Sequence, residues 1–474
     1  MKKIIKKITI IMLLILLAFI LYLVVGGIVP FLRHPEVSDK TKKKIKNTEF
    51  YNENVGPDRA AIIEDNEEAL KIRLKMIADA KEKVVMSTFD FRPDNAGKDM
   101  LSALLDAGER GVQVEIFMDG FNAAVQMEGN EYFYALSSHP NIKITIYNKI
   151  NLLTPWNGLG RMHDKYVIVD DSMYILGGRN TFGYFLGDYQ GHKNYDRDVL
   201  VYNTGSKDSS IYQVKDYYEK ITSMDCCSLF HDKESLGKRN DVKKAREELE
   251  ERYEGLIEKY KGFLDKPYDY EANTFETNAI HLLSNPTTLY SKEPTVFYGL
   301  MELAKGAKEE VRIHTPYIIC NDYMYQELTE VGSKTIVMTN SAENNGNFFG
   351  SIDYLKHKPD VIDTGVTIKE YEGGISYHGK SMTIDDDIAI VGSFNLDLRS
   401  AYIDTELMLV INSKDVNKQL KSNMEKYEKK AATVLNETEY SDIPDGMTMK
   451  PLSNKKKNIK TWLGPVMNWF RFLF

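Results

Sequence analysis

The stretch from Met162 to Asp170, MHDKYVIVD, constrains this chain most, because its chemistry returns in YHGKSMTID, from Tyr377 to Asp385. Both copies read H-x-K-x-x-x-x-D: His163, Lys165 and Asp170 in the first, His378, Lys380 and Asp385 in the second. The residues downstream of each motif repeat as well, as Gly177-Gly178-Arg179-Asn180 and Gly392-Ser393-Phe394-Asn395, with 17 positions from histidine to asparagine each time. The copies stand 215 residues apart, too far for a solenoid repeat and suited to two homologous halves that face each other. Along a strand, side chains two apart point the same way, so each motif presents its histidine and lysine from one face.

The rest of the chain supports that arrangement. Apolar positions at helical spacing run over residues 66–81, followed by a strand at Val84 to Phe89, a helix at Asp99 to Gly108 and strands from Val112 and at Ile142 to Tyr147. A helix at Pro294 to Gly306, then VRIHTPYII, KTIVMTN and VTIKEY, give the second half the same order. Alternating strands and helices predict an α/β fold of two homologous halves with mixed sheets flanked by helices, related by a pseudo-twofold. The boundaries read as a membrane anchor (1–33), a polar tether (34–59), a first half (60–231), a charged helical connector (232–275), a second half (276–440) and a basic, aromatic tail (441–474).

Ile8 to Leu32 carry no charge, and 25 such positions can cross a hydrocarbon core of roughly 30 Å. Lys2, Lys3, Lys6 and Lys7 would suit a cleaved signal peptide. However, the apolar run exceeds the usual h-region and no small-x-small site closes it, so a retained single-pass anchor is expected. The short basic N-terminus favours an N-in, C-out orientation, and Arg33 with the lysines from Lys40 to Lys46 counts against it. Basic residues beside Trp462, Trp469, Phe470, Phe472 and Phe474 predict a tail at the membrane interface.

A length of 474 residues fits two fused halves, and a net charge of −8 gives no general attraction to polyanions. Nucleic acid is therefore an unfavoured partner. Cys226, Cys227 and Cys320 make neither a disulfide framework nor a C-x-x-C metal pattern. The helical connector's Leu/Tyr/Ile stripe predicts a solvated helix bridging the halves. His34, His139, His192, His231, His281, His314 and His357 have no repeated partner and read as packing or surface residues.

Two imidazoles, two ammonium groups and the amides of Asn180 and Asn395 in one pocket suit a phosphodiester. The lysines and asparagines would bind non-bridging oxygens and stabilise a five-coordinate transition state. One neutral histidine would attack phosphorus while the other donates a proton to the leaving oxygen. With Asp196-Arg197-Asp198-Val199 set against Asp404-Thr405-Glu406-Leu407, Asp198 and Glu406 are the expected orienters of the two rings. Asp170 and Asp385 complete the catalytic motifs, though a role in holding the motif turn is the readier one. Lysines supply the positive charge, so neither a metal nor a cofactor is called for, and no ligand-spaced cluster appears.

The pair HDKYVIVDD…GGRN and HGKSMTIDDD…GSFNLDLRS resembles the phospholipase D superfamily, and RMHDKYVIVDDSMYILGGRN with VGSFNLDLRSAYIDTE resembles its bacterial cardiolipin synthases. The resemblance covers roughly Ala60 to Ile411 and implies phospholipase D-like halves, a phosphohistidine intermediate, no metal, and water or an alcohol as acceptor. It implies His163 as the nucleophile. This chain departs from the pattern in having one N-terminal span where many members have two, Asp404 where asparagine is common, and Gly178 where many have serine. The expected activity is a membrane-anchored phosphatidyltransferase joining two phosphatidylglycerols into cardiolipin and glycerol. Hydrolysis to phosphatidic acid and cleavage of nucleic-acid phosphodiesters are the alternatives. A catalytically dead scaffold would have lost a motif residue, and none is lost. One chain supplies both motifs, so a dimer is not required.

Overall fold

The computed structural model describes residues 2–473, with the side chains of 459, 460 and 463–469 outside that description. Helix α1 (Lys2–Ile28) carries the apolar run; by length and composition it is able to cross a membrane. Helix α2 (Asp39–Lys46) comes next, started by Ser38, whose hydroxyl accepts from the Thr41 N–H. The strands of the first half are β1 (Asp58–Ile63), β2 (Lys83–Thr88), β3 (Gln113–Asp119), β4 (Ile142–Tyr147), β5 (Tyr166–Val169), β6 (Met173–Gly177), β7 (Asn194–Tyr195), β8 (Asp198–Asn203), β9 (Cys227–Leu229) and β10 (Phe275–Glu276). Those of the second are β11 (Ala279–Ser284), β12 (Val311–His314), β13 (Thr335–Asn340), β14 (Thr367–Tyr371), β15 (Ser376–Tyr377), β16 (Ser381–Ile384), β17 (Ile388–Gly392), β18 (Leu407–Asn412), β19 (Ala431–Val434) and β20 (Tyr440–Ser441).

One sheet has the order β10-β1-β8-β6-β5-β2-β3-β4-β9 and the other β11-β18-β17-β16-β12-β13-β14-β19-β20. From β1 to β9 and from β11 to β19 the two match strand for strand, with β2-β3-β4 and β12-β13-β14 parallel and their neighbours antiparallel. The predicted duplication and the mixed α/β sheets are therefore present. The central strands read YVIV, MYILG, IAIVG and LMLVIN and are buried throughout, as strands covered on both faces must be. One hydrophobic core lies outside each sheet. A third joins Ile62, Val85, Ile168, Leu176 and Val201 of the first half to Ala389, Val391, Leu409 and Ile411 of the second.

Three segments differ from their expected roles. The tether is no free linker: Ile45 and Phe50, with Phe31 at the end of the anchor before it, are buried in the second half's core, and Glu293 accepts from the Ser38 N–H at 2.7 Å and the Thr41 hydroxyl at 2.9 Å. The connector helix, Asn240–Lys259, buries Val242, Ala245, Leu249, Tyr253 and Leu256 in the first half's core instead of bridging the halves. At the C-terminus Phe472 is buried against the second half and Arg471 pairs with Asp353 at 2.7 Å, while Trp462 is 81% exposed. The end of the tail thus packs on the domain. The Trp469 side chain and Phe474 fall outside the described residues.

Candidate active site

Each motif histidine lies just before a short buried strand, β5 or β16, and its neighbour pairs with the other half. Met162 bridges Thr405 in parallel, and Tyr377 of β15 pairs with Tyr195 of β7 in the same sense. The residue after each bridge is the histidine on one side and a carboxylate on the other. His163 Nδ1 accordingly lies 2.8 Å from Glu406 Oε1, and His378 Nδ1 lies 2.6 Å from Asp196 Oδ2. Each ring is held by an acid from the opposite half.

Asp198, the expected orienter, is corrected to Asp196. Sheet register gives the reason: Gly177 pairs with Asp198, whereas Gly392 pairs with Met408, so Asp196 is the counterpart of Glu406 and Asn194 that of Asp404. Setting the two segments side by side by their acids alone slips by two, which keeps the strand face and hides the error. Asp198 instead accepts from two buried arginines, Arg73 at 2.9 Å and Arg179 at 3.0 Å. Asp404 is clamped by Arg399 at 2.9 and 2.7 Å.

Register also explains glycine at position 178. Its counterpart Ser393 donates to Glu406, but a Cβ at Gly178 would come within 2.2 Å of Asp196 Oδ1. Gly178 with Asp196 and Ser393 with Glu406 are two solutions to the same packing problem.

The lysines are enclosed. Lys165 and Lys380 are each 1% exposed; Lys165 Nζ donates to the His163 carbonyl at 2.5 Å, and Lys380 Nζ contacts His378 and reaches Asp196 at 3.3 Å. Burial lowers the Lys165 ammonium to about 7 against the opposing pull of Glu406, and it lowers Lys380 against Asp196. Burial, then the Lys165 charge, holds His163 well below the usual imidazole range. Burial and the Lys380 charge bring His378 to about 4, with Asp196 opposing. Burial raises Glu406 to about 8, whereas at Asp196 the charges of Lys380 and His378 outweigh burial and keep the carboxylate ionised. The two histidine–acid pairs are therefore alike in geometry and unlike in charge.

Asn180 and Asn395 are buried, and the amide oxygen of each has no hydrogen-bond partner within the described residues. Asp170 and Asp385 sit at the far ends of the motif strands, away from the histidines. Asp170 accepts from the N–H groups of Lys81, Glu82 and Lys83 at 3.0, 2.9 and 2.8 Å, and Asp385 from Lys308, Glu309 and Glu310 at 2.9, 2.8 and 3.0 Å. The turn-holding role is the one the geometry gives them.

Three neighbours of the site have no mark in the sequence. Thr405 Oγ1 accepts from the His163 N–H at 3.1 Å and donates to buried Asp164 at 3.0 Å; burial raises that acid to about 7 against the Tyr217 hydroxyl bonded to it. Lys292 is 4% exposed and its Nζ has no hydrogen-bond partner among the described residues; burial lowers it to about 8, with Asp404, Asp164 and Glu406 opposing. Repetition, the signal that finds the motifs, cannot find Lys292. Its loop joins β11 to the helix at Thr295–Lys305, whereas two residues separate β1 from the helix at Asn66–Asp79.

The paired sheets and duplicated histidine–lysine site define a phospholipase D-type protein. The sequence model described as "Cardiolipin synthase, PLD-like domain" matches residues 74–221 and 300–427, and the chain belongs to that family. An uncharacterized protein of Helicobacter pylori (strain ATCC 700392 / 26695) is 24% identical over 406 residues, 78% of this chain and 80% of that one. Cardiolipin synthase C of Escherichia coli K12 is 22% identical over 391 residues, 74% and 80% of the two chains. Among solved structures, phosphatidylserine synthase of Haemophilus influenzae Rd KW20 shares the fold with a TM-score of 0.61 at 15% identity, over 92% of this chain and 100% of that one.

Proposed function

We propose that this protein is a membrane-anchored phosphatidyltransferase that forms cardiolipin from two phosphatidylglycerols and releases glycerol. The observation that carries the reading is the pair of imidazoles, each tied through Nδ1 to an acid of the opposite half, so that neither Nε2 is taken by an acid; Lys380 Nζ lies 3.3 Å from that of His378. His163 Nε2 attacks phosphorus and forms the P–N bond. The P–O bond to the first headgroup glycerol breaks, and protonated His378 gives its proton to that oxygen. The hydroxyl of the second phosphatidylglycerol then yields its proton to His378, attacks phosphorus and frees His163. Lys165, Lys380, Asn180 and Asn395 bind the non-bridging oxygens. Burial and the lysine charges lower both rings, and at His378 the ionised Asp196 opposes that lowering, which makes His378 the better placed of the two to take up and pass on the proton. Asp196 and Glu406 fix the two tautomers. Helix α1 and the relatives called cardiolipin synthase support a lipid substrate.

The test is to incubate the purified full chain with phosphatidylglycerol and analyse the products. Cardiolipin with equimolar glycerol is expected, and His163→Ala and His378→Ala should each abolish it. Phosphatidic acid as the sole lipid product would replace the alcohol acceptor with water. DNA cleavage without lipid turnover would sink both lipid readings.

A further inference from the structure

The loop 149–159, between β4 and the first motif, exposes Ile150, Leu152 and Leu153 at 46%, 56% and 74%. Lys149 is its single charged residue. Apolar side chains gathered at one loop tip mark a binding surface, and the neighbour of this loop identifies what binds. It lies against α1: the Tyr22 hydroxyl donates to the Leu153 carbonyl at 2.7 Å, Tyr22 meets Trp156 edge to face at 6.5 Å, and Gly26 packs so closely on Pro155 that a Cβ there would come within 2.6 Å of its ring. Tyr22 stands six residues before the end of α1 at Ile28, so the contact lies about 9 Å inside that end. Interfacial segments bury their apolar faces about 5–10 Å deep.

We propose that loop 149–159 is a second membrane element, inserted into the leaflet at which the C-terminal end of α1 emerges, and that it holds the His163 site at the headgroup level so that lipid enters sideways. The occupant is the bilayer, because the loop continues the surface of the one helix among the described residues that is able to span it. The base of the loop transmits this position to the motif. Asn148 donates to the Asn157 carbonyl at 2.6 Å and the Gly160 carbonyl at 2.8 Å, and Gly160 is three residues from His163. Tyr290 of the second half donates to Asn157 at 3.1 Å, so both halves are tied to the loop. The substrate-entry part of the proposal rests on the lipid reading above; the insertion part does not.

The test uses the full chain in phosphatidylglycerol vesicles with Trp462→Phe and Trp469→Phe, leaving Trp156 as the reporter. Lipids brominated near the carbonyl end of the acyl chain should quench Trp156, and absence of quenching overturns insertion whatever the enzyme does. In a second arm, Leu152→Asp with Leu153→Asp should lower kcat/KM on vesicle lipid by about tenfold or more. Turnover of short-chain phosphatidylglycerol dispersed below its micelle concentration should be unchanged. Equal loss on both substrates, or none on vesicles, overturns lateral entry. If the parent chain turns over neither lipid, the phosphatidyltransferase reading fails, and the quenching result still decides insertion.

Discussion

Asp196 and Asp198 are both buried and two residues apart on one face, yet their partners differ: a histidine and a lysine for the first, two arginines for the second. Asp196→Asn should keep the fold and lower kcat by about 10²–10⁴, since the amide lacks the carboxylate charge and can turn its NH2 to Nδ1, which favours the wrong His378 tautomer. Asp198→Ala strands Arg73 and Arg179 in the interior and should cost about 3–5 kcal/mol, read as a lowered urea midpoint. A stable but inactive Asp198→Ala beside an active Asp196→Asn would reverse the assignment. Lys165 carries a pH prediction. Its proton is needed to bind phosphate and is lost in the free enzyme near pH 7, so kcat/KM should fall as pH rises through about 7. Lys165→Arg stays charged and should move that fall to higher pH at a lower maximum. A parent profile flat to about pH 9 would show that the Lys165 proton does not govern binding.

At the scale of elements, the motif strands are anchored at one end by acids and used at the other by histidines. Asp170 and Asp385 adopt φ of 52° and 46°, a region in which Asp and Asn are enriched, and each gathers three N–H groups from the turn that leads into the adjoining strand. Asp385→Ala leaves those donors without their acceptor and should cost about 1–3 kcal/mol by denaturant melts. Asp385→Asn keeps an acceptor oxygen and should cost less. Burial raises the Asp385 carboxyl, but the Lys308, Glu310 and Glu309 N–H groups outweigh it and hold it low. Its contribution is therefore present above the unfolded value near 3.9 and fades as pH falls through the lower folded value, so the Asp385→Ala deficit should shrink on acidification. Elements are legible where periodicity and caps agree: the helix expected at 66–81 is Asn66–Asp79, started by Asp65. The helix expected from Asp99 begins at Asn95, because its cap Asp94 lies ahead of the apolar pattern.

At the scale of the molecule, the two sheets share a core, and each half holds the other's histidine. Ile62, Val201, Ala389 and Leu409 would be exposed if the halves parted, at about 25 cal/mol for each Å² of apolar surface. The halves should unfold together, giving one calorimetric transition and a matching loss of near-ultraviolet signal. Two resolved transitions would mean that the halves are thermodynamically separate and that the shared core contributes little.

The sequence by itself determined the duplication, the two histidine–lysine motifs, the alternation of strands and helices and the apolar N-terminal helix. These come from local pattern, repetition and hydropathy, which need no knowledge of what touches what. Tertiary structure decided the partners. Glu406 meets the His163 ring from the opposite half, and Asp196 had to be read from sheet register, because a two-residue slip preserves every side chain's face. Lys292 lies on a loop with no copy in the first half, and that Ile45 and Phe50 of the tether and Phe472 of the tail dock on the second half is decided by packing alone. Which acid meets which ring depends on residues 182 and 243 positions apart being brought within hydrogen-bond distance, and only packing the two sheets together does that.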